Sequence, residues 1–495
     1  MAENSFLAVD LGAESGRVIA GRSRKRVRLE ELHRFSNGPV NVAESLRWDV
    51  LRLWSEIQAG LTKAGSADRR LFPSMSIRGV STMCLLSKSG EILGQPYHYR
   101  DARTRGVMDQ TFTQVSRSEI FAQTGVQFME FNTLYQLVAM QQANGPLLQL
   151  ADKFLMMADF PLAAVGVASS SSPMRRRHRC FDPVHRTWAG DLLRQLELPA
   201  GMFPEVVEPG TKLGKLRDDV ARRTGLPRLS VVAPATHDTG AAVAAVPTEL
   251  TGTAKWAYIS SGTWSLMGLE LPKAILGPKA LNMNVTNEGG IDGTYRLLKN
   301  IMGLWLVQEC RKSFERSGTS YDYATLTQIA QDAPAFRAFV DPDAREFLAP
   351  DDMPSAIRAW CRSTNQEVPD TDGELIRCAL ESLALKYRLV LGWLEELSGE
   401  KTEVIHIVGG GTQNELLNQF TANATGRPVV TGPVEATALG NVLVQARTAG
   451  EIGSLKEIRD VVRASSTLKR YEPQRQAAWE EAYGRFVELM DRPRG

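Results

Sequence analysis

Two stretches near mid-chain hold residues suited to chemistry. Thr236-His237-Asp238-Thr239 follows the apolar run Leu229 to Ala233, and Ser260-Ser261-Gly262-Thr263-Trp264-Ser265 ends the next apolar strand. An aspartate can take the proton of an acceptor hydroxyl. A Ser/Gly/Thr loop turns backbone N–H groups and hydroxyls toward an anion. Together they suit phosphoryl transfer in a cleft between two halves, with Asp238 as the base. A His-Asp-Thr run that merely caps a helix is the plainer reading.

Two further turns carry the same kind of signal. Phe6 to Val9 and Val18 to Gly21 read as strands, so Asp10-Leu11-Gly12-Ala13-Glu14-Ser15-Gly16-Arg17 is a hairpin turn and not a strand-to-helix phosphate loop. Asp10 at the strand end, beside Gly and Ser, suits a phosphate and its magnesium; a plain hairpin fits the same residues. Val404 to Val408 is a buried strand ending in Gly409-Gly410-Gly411-Thr412-Gln413-Asn414, with a helix after it. Three glycines there let a flat ligand approach bare backbone, or simply make a tight turn. His406 lies inside that apolar strand and is read as a packed histidine without a role.

The elements that position these turns follow from periodicity. Apolar residues recur at helical spacing from Arg47 to Lys63, and along 374–398 through Ile376, Leu380, Leu383, Tyr387, Val390, Leu394 and Leu397. Thr133 to Gln142 and Ala436 to Ala446 read as further helices, and the tail beyond Pro473 as a charged one. Tyr295 to Leu298 reads as a strand, with Asn300 to Trp305 opening a helix through Gln308. The cluster Tyr99-Arg100-Asp101-Ala102-Arg103 reads as a solvated loop. Each half opens with a strand–turn–strand carrying Gly and Ser, which suggests an old duplication of an α/β unit.

Composition narrows the class. A chain of 495 residues exceeds one ordinary core and should divide into two large domains. With 43% apolar and 23% charged residues and a net charge of +2, nothing pulls it toward nucleic acid or a membrane. The start, MAENSFLAVD, is too short and acidic for a signal peptide. Five scattered cysteines without a CxxC spacing fit a reducing cytoplasm. Cys361 and Cys378 could close a short loop, although free thiols are the expected state.

The motifs VDLGAESGRV, HRFSNGP, RWDV, YRDARTRG, GVQFMEFNTLYQL, THDT, YISSGTWSLMG, NEGGIDGTYRLLKNIMGLW, VGGGTQNELLNQ and EATALGN together resemble the sugar kinases of the carbohydrate (FGGY-type) kinase family, over nearly the whole chain. The resemblance implies an α/β fold of two ribonuclease-H-like, actin-like ATPase domains around a central cleft. It implies a sugar-binding domain over 1–245, an ATP-binding domain over 246–470 and a helical tail over 471–495. The implied reaction is ATP-dependent phosphorylation of L-rhamnulose on its 1-hydroxyl, with Mg2+, in a cytoplasmic monomer or weak homo-oligomer. Fuculose or xylulose is the alternative acceptor. Asp238 would be the base, with His237, Thr239 and Gly79 beside the sugar. Ala13, Glu14, Ser15, Gly16, Arg17, Thr263, Asn300, Gln308 and Gly410 would hold ATP, and Asp10 would meet magnesium through water.

Two segments depart from that pattern. Where the family has a run like DTWGVDYV, residues 76–84 read SIRGVSTMC; where it has EFTNASTT, residues 170–178 read SSSPMRRRH. Under one choice of codons, moving the reading frame one base upstream converts each segment into the family's run. The same slip at two expected motifs points to out-of-frame reading. An ordinary divergent loop, or a non-catalytic sugar or nucleotide sensor, is the alternative. The first segment removes Trp-Gly and Asp from the implied sugar pocket and leaves Ser81 and Met83. The second puts Arg175, Arg176, Arg177, His178 and Arg179 where burial would strand cations, so extrusion into solvent is expected.

The chain as it stands should therefore bind ATP yet phosphorylate L-rhamnulose weakly or not at all. Restoring DTWGVDYV and EFTNASTT should raise kcat/KM by orders of magnitude, as regained polar substrate contacts can. Equal turnover by the two proteins would strip the frame slip of functional meaning.

Overall fold

Residues 4–12, 15–23, 25–67, 72–79, 82–157, 159, 171–173, 179–235 and 238–491 are described by a computed structural model of the chain. The chain forms two compact units. One comprises Met1–Thr251, Leu271–Leu297 and Ala436–Ser465; the other comprises Gly252–Glu270, Leu298–Glu435 and Ser466–Gly495. Among the described residues no helix is long and apolar enough to cross a membrane, and all five cysteines are free and buried.

The first unit is built on six strands: β1 (Asn4–Leu11), β2 (Ser15–Ser23), β3 (Val27–Ser36), β4 (Ser74–Arg78), β5 (Lys212–Lys215) and β6 (Ser230–Val232), in the order β5-β6-β4-β1-β2-β3. The expected hairpin is there, with Asp10 paired to Arg17 across it. Phe6, Leu7, Ala8 and Val9 are all fully buried, as a central strand covered on both faces requires. The helix Val50–Ala67 packs Leu53, Ile57 and Leu61 into this core, worth about 1.5–3 kcal/mol per side chain.

The helix Ala436–Thr448 belongs to this unit although it lies late in the sequence. Its small residues explain the position. A Cβ on Gly21 of β2 would stand 2.4 Å from Val442, and one on Gly440 would stand 1.8 Å from the carbonyl oxygen of Ala241. Gln445 ties the approach together, donating from Nε2 to Leu7 O at 3.0 Å and accepting at Oε1 from Ser74 Oγ at 2.8 Å.

The second sheet contains β7 (Trp256–Ser261), β8 (Trp264–Leu271), β9 (Thr286–Gly289), β10 (Tyr295–Met302), β11 (Val404–Val408), β12 (Val429–Thr431) and β13 (Lys469–Tyr471), ordered β9-β10-β8-β7-β11-β12-β13. It repeats the hairpin-plus-parallel-strand layout of the first, as the duplication reading expects. The long helix Asp372–Ser398 starts at a capping box. Thr371 Oγ1 accepts from Glu374 N, Glu374 Oε2 accepts from Thr371 N, and Gly399 ends it at φ 74°.

Three expectations need correction. The strand begun at Tyr295 runs on to Met302, so Asn300 is in β10 and the helix begins only at Trp305. All eight residues of that strand are buried, so the sheet outweighs the helix reading of Asn300-Ile301-Met302. The Tyr99–Arg103 cluster is no solvated loop around Asp101, which is buried and accepts from Leu46 N at 2.7 Å and Arg103 N at 3.0 Å. Arg179 is not extruded but wholly buried. Its guanidinium lies 3.4 Å from the centroid of Phe128, Nε donates to Asn132 Oδ1 at 3.2 Å and Nη2 donates to Val126 O. Ring face, amide and carbonyl replace water there, while burial pushes its pKa down to about 10.

The two departing segments are partly structural. Ser76 to Arg78 sit in β4, between β6 and β1, with Ile77 fully buried, and Met83–Leu86 pairs antiparallel with Lys153–Met156. Ser171–Pro173 runs parallel to Glu205–Val207. Val80, Ser81, Ser170 and Met174 to His178 lie outside the described residues.

The close helix approach gives a direct test. Gly440→Ala should cost about 1–3 kcal/mol through overpacking, because the methyl meets backbone at Ala241. Gly484→Ala, at an exposed position of the helix Gln476–Asp491 with open space around it, should instead stabilise by up to about 1 kcal/mol. Thermal melts of the two variants should move in opposite directions; a harmless Gly440→Ala would refute the packing account.

Candidate functional site

In the first unit β1 and β6 both run parallel to β4, so their carboxyl ends share one sheet edge. Ligands of α/β sheets gather at such edges. Asp10 and Arg78 are register partners there, and Asp238 follows the end of β6 at the start of the helix Asp238–Ala244. The hairpin turn is held by Gly12 N donating to Ser15 O at 2.9 Å and by Asn37 Nδ2 donating to Gly12 O. Gly16 is needed because a Cβ would stand 2.2 Å from the Phe35 ring.

Asp10 is 3% exposed and enclosed by cations. Its Oδ2 accepts from Arg17 Nη2 at 2.8 Å, and its Oδ1 accepts from Arg78 Nη2. Arg78 is itself 3% exposed, and its Nε and Nη1 have no partner among the described residues. Each oxygen of Asp10 thus accepts from a guanidinium and keeps a second lone pair. Among the described residues there is also no group of three or more His, Cys, Asp or Glu placed to hold a metal.

Asp238 is half-buried, and its Oδ1 accepts from the N–H of the next residue, Thr239, at 2.9 Å. Thr239 and Gly79 are buried. Ala13, Glu14 and His237 lie outside the described residues. The structure thus brings Asp10, Ser15, Gly16 and Arg17 together at one hairpin, with Asp238 and Thr239 at the end of a strand of the same sheet.

The second unit repeats the arrangement. β7, β11 and β12 are parallel, so the loop Ser261-Gly262-Thr263 and the triple glycine lie at one edge. The glycine turn rests on the loop. A Cβ on Gly411 would stand 1.9 Å from Ser261 Oγ, and one on Gly409, at φ 89°, would stand 2.8 Å from Ser261 O. Gly410 differs: it is exposed, with nothing within 4 Å of a Cβ.

The loop spends part of its backbone on its neighbour. Thr263 O accepts from Gly303 N at 3.2 Å and Trp305 N at 3.1 Å, Gly262 O accepts from Leu304 N at 3.1 Å, and Gly262 N donates to Trp264 O at 2.9 Å. The carbonyls therefore fix the start of the helix Trp305–Arg316, which carries Gln308. Gln308 Oε1 is a buried acceptor without a partner among the described residues, as a ligand-binding amide should be. Thr263, Gln308 and Gly410 thus lie around one set of loops, while Asn300 is set back in β10 and 3% exposed.

Several supporting residues carried no local signal. Ser265 Oγ and Tyr387 OH lie 2.6 Å apart although 122 residues separate them, and burial holds the Tyr387 phenol above its ordinary range. Asp343 Oδ1 accepts from Met302 N at 2.9 Å, while Lys386 Nζ lies 2.8 Å from Asp341 and 3.2 Å from Asp343. Burial pulls the Lys386 ammonium down, but Asp343 and Asp341 more than offset it, and its pKa is raised. Asn37 stands in the HRFSNGP run, where its link to the turn at Gly12 was invisible.

Residues 5–245 match the N-terminal domain of the FGGY family of carbohydrate kinases, and residues 257–449 match its C-terminal domain. The chain is 41% identical over 497 residues to a rhamnulokinase of Bacteroides thetaiotaomicron, covering 98% of this chain and 99% of that one. It is 39% identical over 496 residues to a rhamnulokinase of Pectobacterium atrosepticum, covering 99% and 97%. Its fold is similar to the crystal structure of gluconate kinase from Lactobacillus acidophilus (TM-score 0.81, 14% identity, covering 99% and 98%). It is equally similar to that of a xylulose kinase from the same species (TM-score 0.82, 13% identity, covering 99% and 98%). These agree with the expected α/β, actin-like ATPase fold.

The glycine turn predicts a contrast between neighbours. Gly411→Val forces a side chain into Ser261 and should lower the melting temperature by several degrees, the effect of about 1–3 kcal/mol of overpacking. Gly410→Val meets open space and should leave the melt nearly unchanged. Equal destabilisation by both would show that Gly410 is packed.

Proposed function

We propose that this chain, which belongs to the FGGY family of carbohydrate kinases, transfers the γ-phosphoryl group of ATP to the 1-hydroxyl of L-rhamnulose. The observation that carries the acceptor is the 41% identity to a rhamnulokinase across nearly the full length of both chains. Fuculose, xylulose and a non-catalytic sensor are not favoured by such a match. A cytoplasmic enzyme, acting as a monomer or weak homo-oligomer, completes the reading.

Phosphoryl transfer leaves a protein little covalent chemistry and asks it for position and charge. In this reading Asp238 accepts the proton of the sugar hydroxyl as it attacks, with Thr239 and His237 beside the sugar. The hairpin turn at Ser15, Gly16 and Arg17 in the first unit, and separately the loop at Thr263 in the second, are each suited to a phosphate. The adenosine lies against Gly410, which is consistent with the open space there, and Gln308 Oε1 offers an acceptor to a hydroxyl or amino group. Asn300 acts from β10 by supporting these loops, since it is buried. Magnesium is read as arriving with ATP, and no step is assigned to it at Asp10.

Asp238→Asn tests the assignment. The carboxamide can still accept from Thr239 N but cannot take a proton, so kcat should fall about 10²–10⁴-fold while ATP binding persists. Gly410→Val should raise the KM for ATP far more than that for the ketose. Near-normal turnover by Asp238→Asn would remove Asp238 as the base.

A further inference from the structure

Asn-Gly occurs twice in the chain, at Asn37-Gly38 and Asn144-Gly145. Asparagine is chemically labile, and a glycine after it offers a backbone nitrogen that no Cβ crowds. The two copies stand in opposite surroundings. Asn37 is 2% exposed, and its Nδ2 donates to Gly12 O in the hairpin turn of the first unit. Asn144 is exposed, between the helix Thr133–Gln142 and the short helix Leu147–Leu150. Its backbone N donates to Gln141 O at 3.0 Å, whereas its carboxamide and Gly145 N have no partner among the described residues. Asn284 and Asn365 share its left-handed backbone, at φ 50° and 56°, but Val285 and Gln366 follow them.

We propose that Asn144 is a site of spontaneous deamidation, with Gly145 N as the attacking group. Hydroxide removes the proton of Gly145 N, and that nitrogen bonds to Cγ of Asn144. The Cγ–Nδ2 bond breaks, and Nδ2 leaves as ammonia with a proton from water, which restores the hydroxide. Water then opens the succinimide at either carbonyl and leaves aspartate or isoaspartate. The net change consumes a water, releases an ammonia and needs no oxidant. Attack requires the carboxamide and Gly145 N to swing together, and no hydrogen bond among the described residues ties either. At Asn37 the same motion would break the bond to Gly12 O and release ammonia from a buried position. This chemistry is independent of the phosphoryl-transfer reading.

The test is ageing of the full chain in warm, mildly alkaline buffer, followed by peptide mapping with mass spectrometry. The peptide holding Asn144 should gain the mass of an amide-to-acid change, divided between aspartate and isoaspartate forms. The peptide holding Asn37 should stay unmodified while the protein is folded, and should convert once guanidinium chloride unfolds it. Gly145→Ala should lose most of the conversion at Asn144, because a methyl then crowds the attacking nitrogen. That variant should fold, since Gly145 has no positive φ and a Cβ there meets nothing within 4 Å. The comparison of the two peptides in the parent stands without it. No conversion at Asn144, or equal conversion at Asn37 and Asn144 in the folded protein, overturns the inference. Undiminished conversion in folded Gly145→Ala would overturn the role of Gly145 N.

Discussion

Parallel pairing of short buried strands decides where chemistry can take place in each unit. β1, β4 and β6 in the first, and β7, β11 and β12 in the second, end at the same edge of their sheets. Each hairpin that opens a unit must turn at that edge, and the turn residues are those that tolerate it. Gly16 clears a phenylalanine ring, while Gly409 and Gly411 clear the tip of the neighbouring hairpin at Ser261. The polar residues assigned to substrate follow from that geometry: Asp10 and Asp238 terminate or follow strands of the first sheet, and Thr263 and Gly410 those of the second.

The same strand edge carries the segment SIRG, which the sequence reading sets apart from the family's run. In β4 that segment places the guanidinium of Arg78 beside Asp10. An arginine can be accommodated because Asp10 faces it, but two of its nitrogens have no partner among the described residues. Arg179, beside the second of those segments, shows a fuller accommodation over Phe128 and Asn132, with only Nη1 lacking a partner among the described residues. Both arginines are buried at a cost, since each keeps donors without a partner among the described residues.

Much of this was legible from residues alone. The hairpin of DLGAESGR, the helices at Thr133–Gln142 and Asp372–Ser398, and the glycine turn after Val404–Val408 follow from local pattern and caps, which act within a few residues. What stayed hidden depends on distant partners. Asn300 reads as a helix opener because its strand partners lie elsewhere in the chain. Ser265 and Tyr387, Asp343 and Lys386, and Asp10 and Arg78 are pairs that only the folded sheets bring together. Asp101 looked solvated for the same reason, since the amide it satisfies belongs to Leu46.

The central claim is phosphoryl transfer from ATP to a ketose hydroxyl. 31P NMR of the protein, at high concentration, with ATP, Mg2+ and L-rhamnulose tests it most directly. For the protein with DTWGVDYV and EFTNASTT restored, the account predicts equal amounts of ADP and of a single sugar 1-phosphate ester. Inorganic phosphate in place of the ester, or ATP left unchanged even after both departing segments are restored, would contradict it.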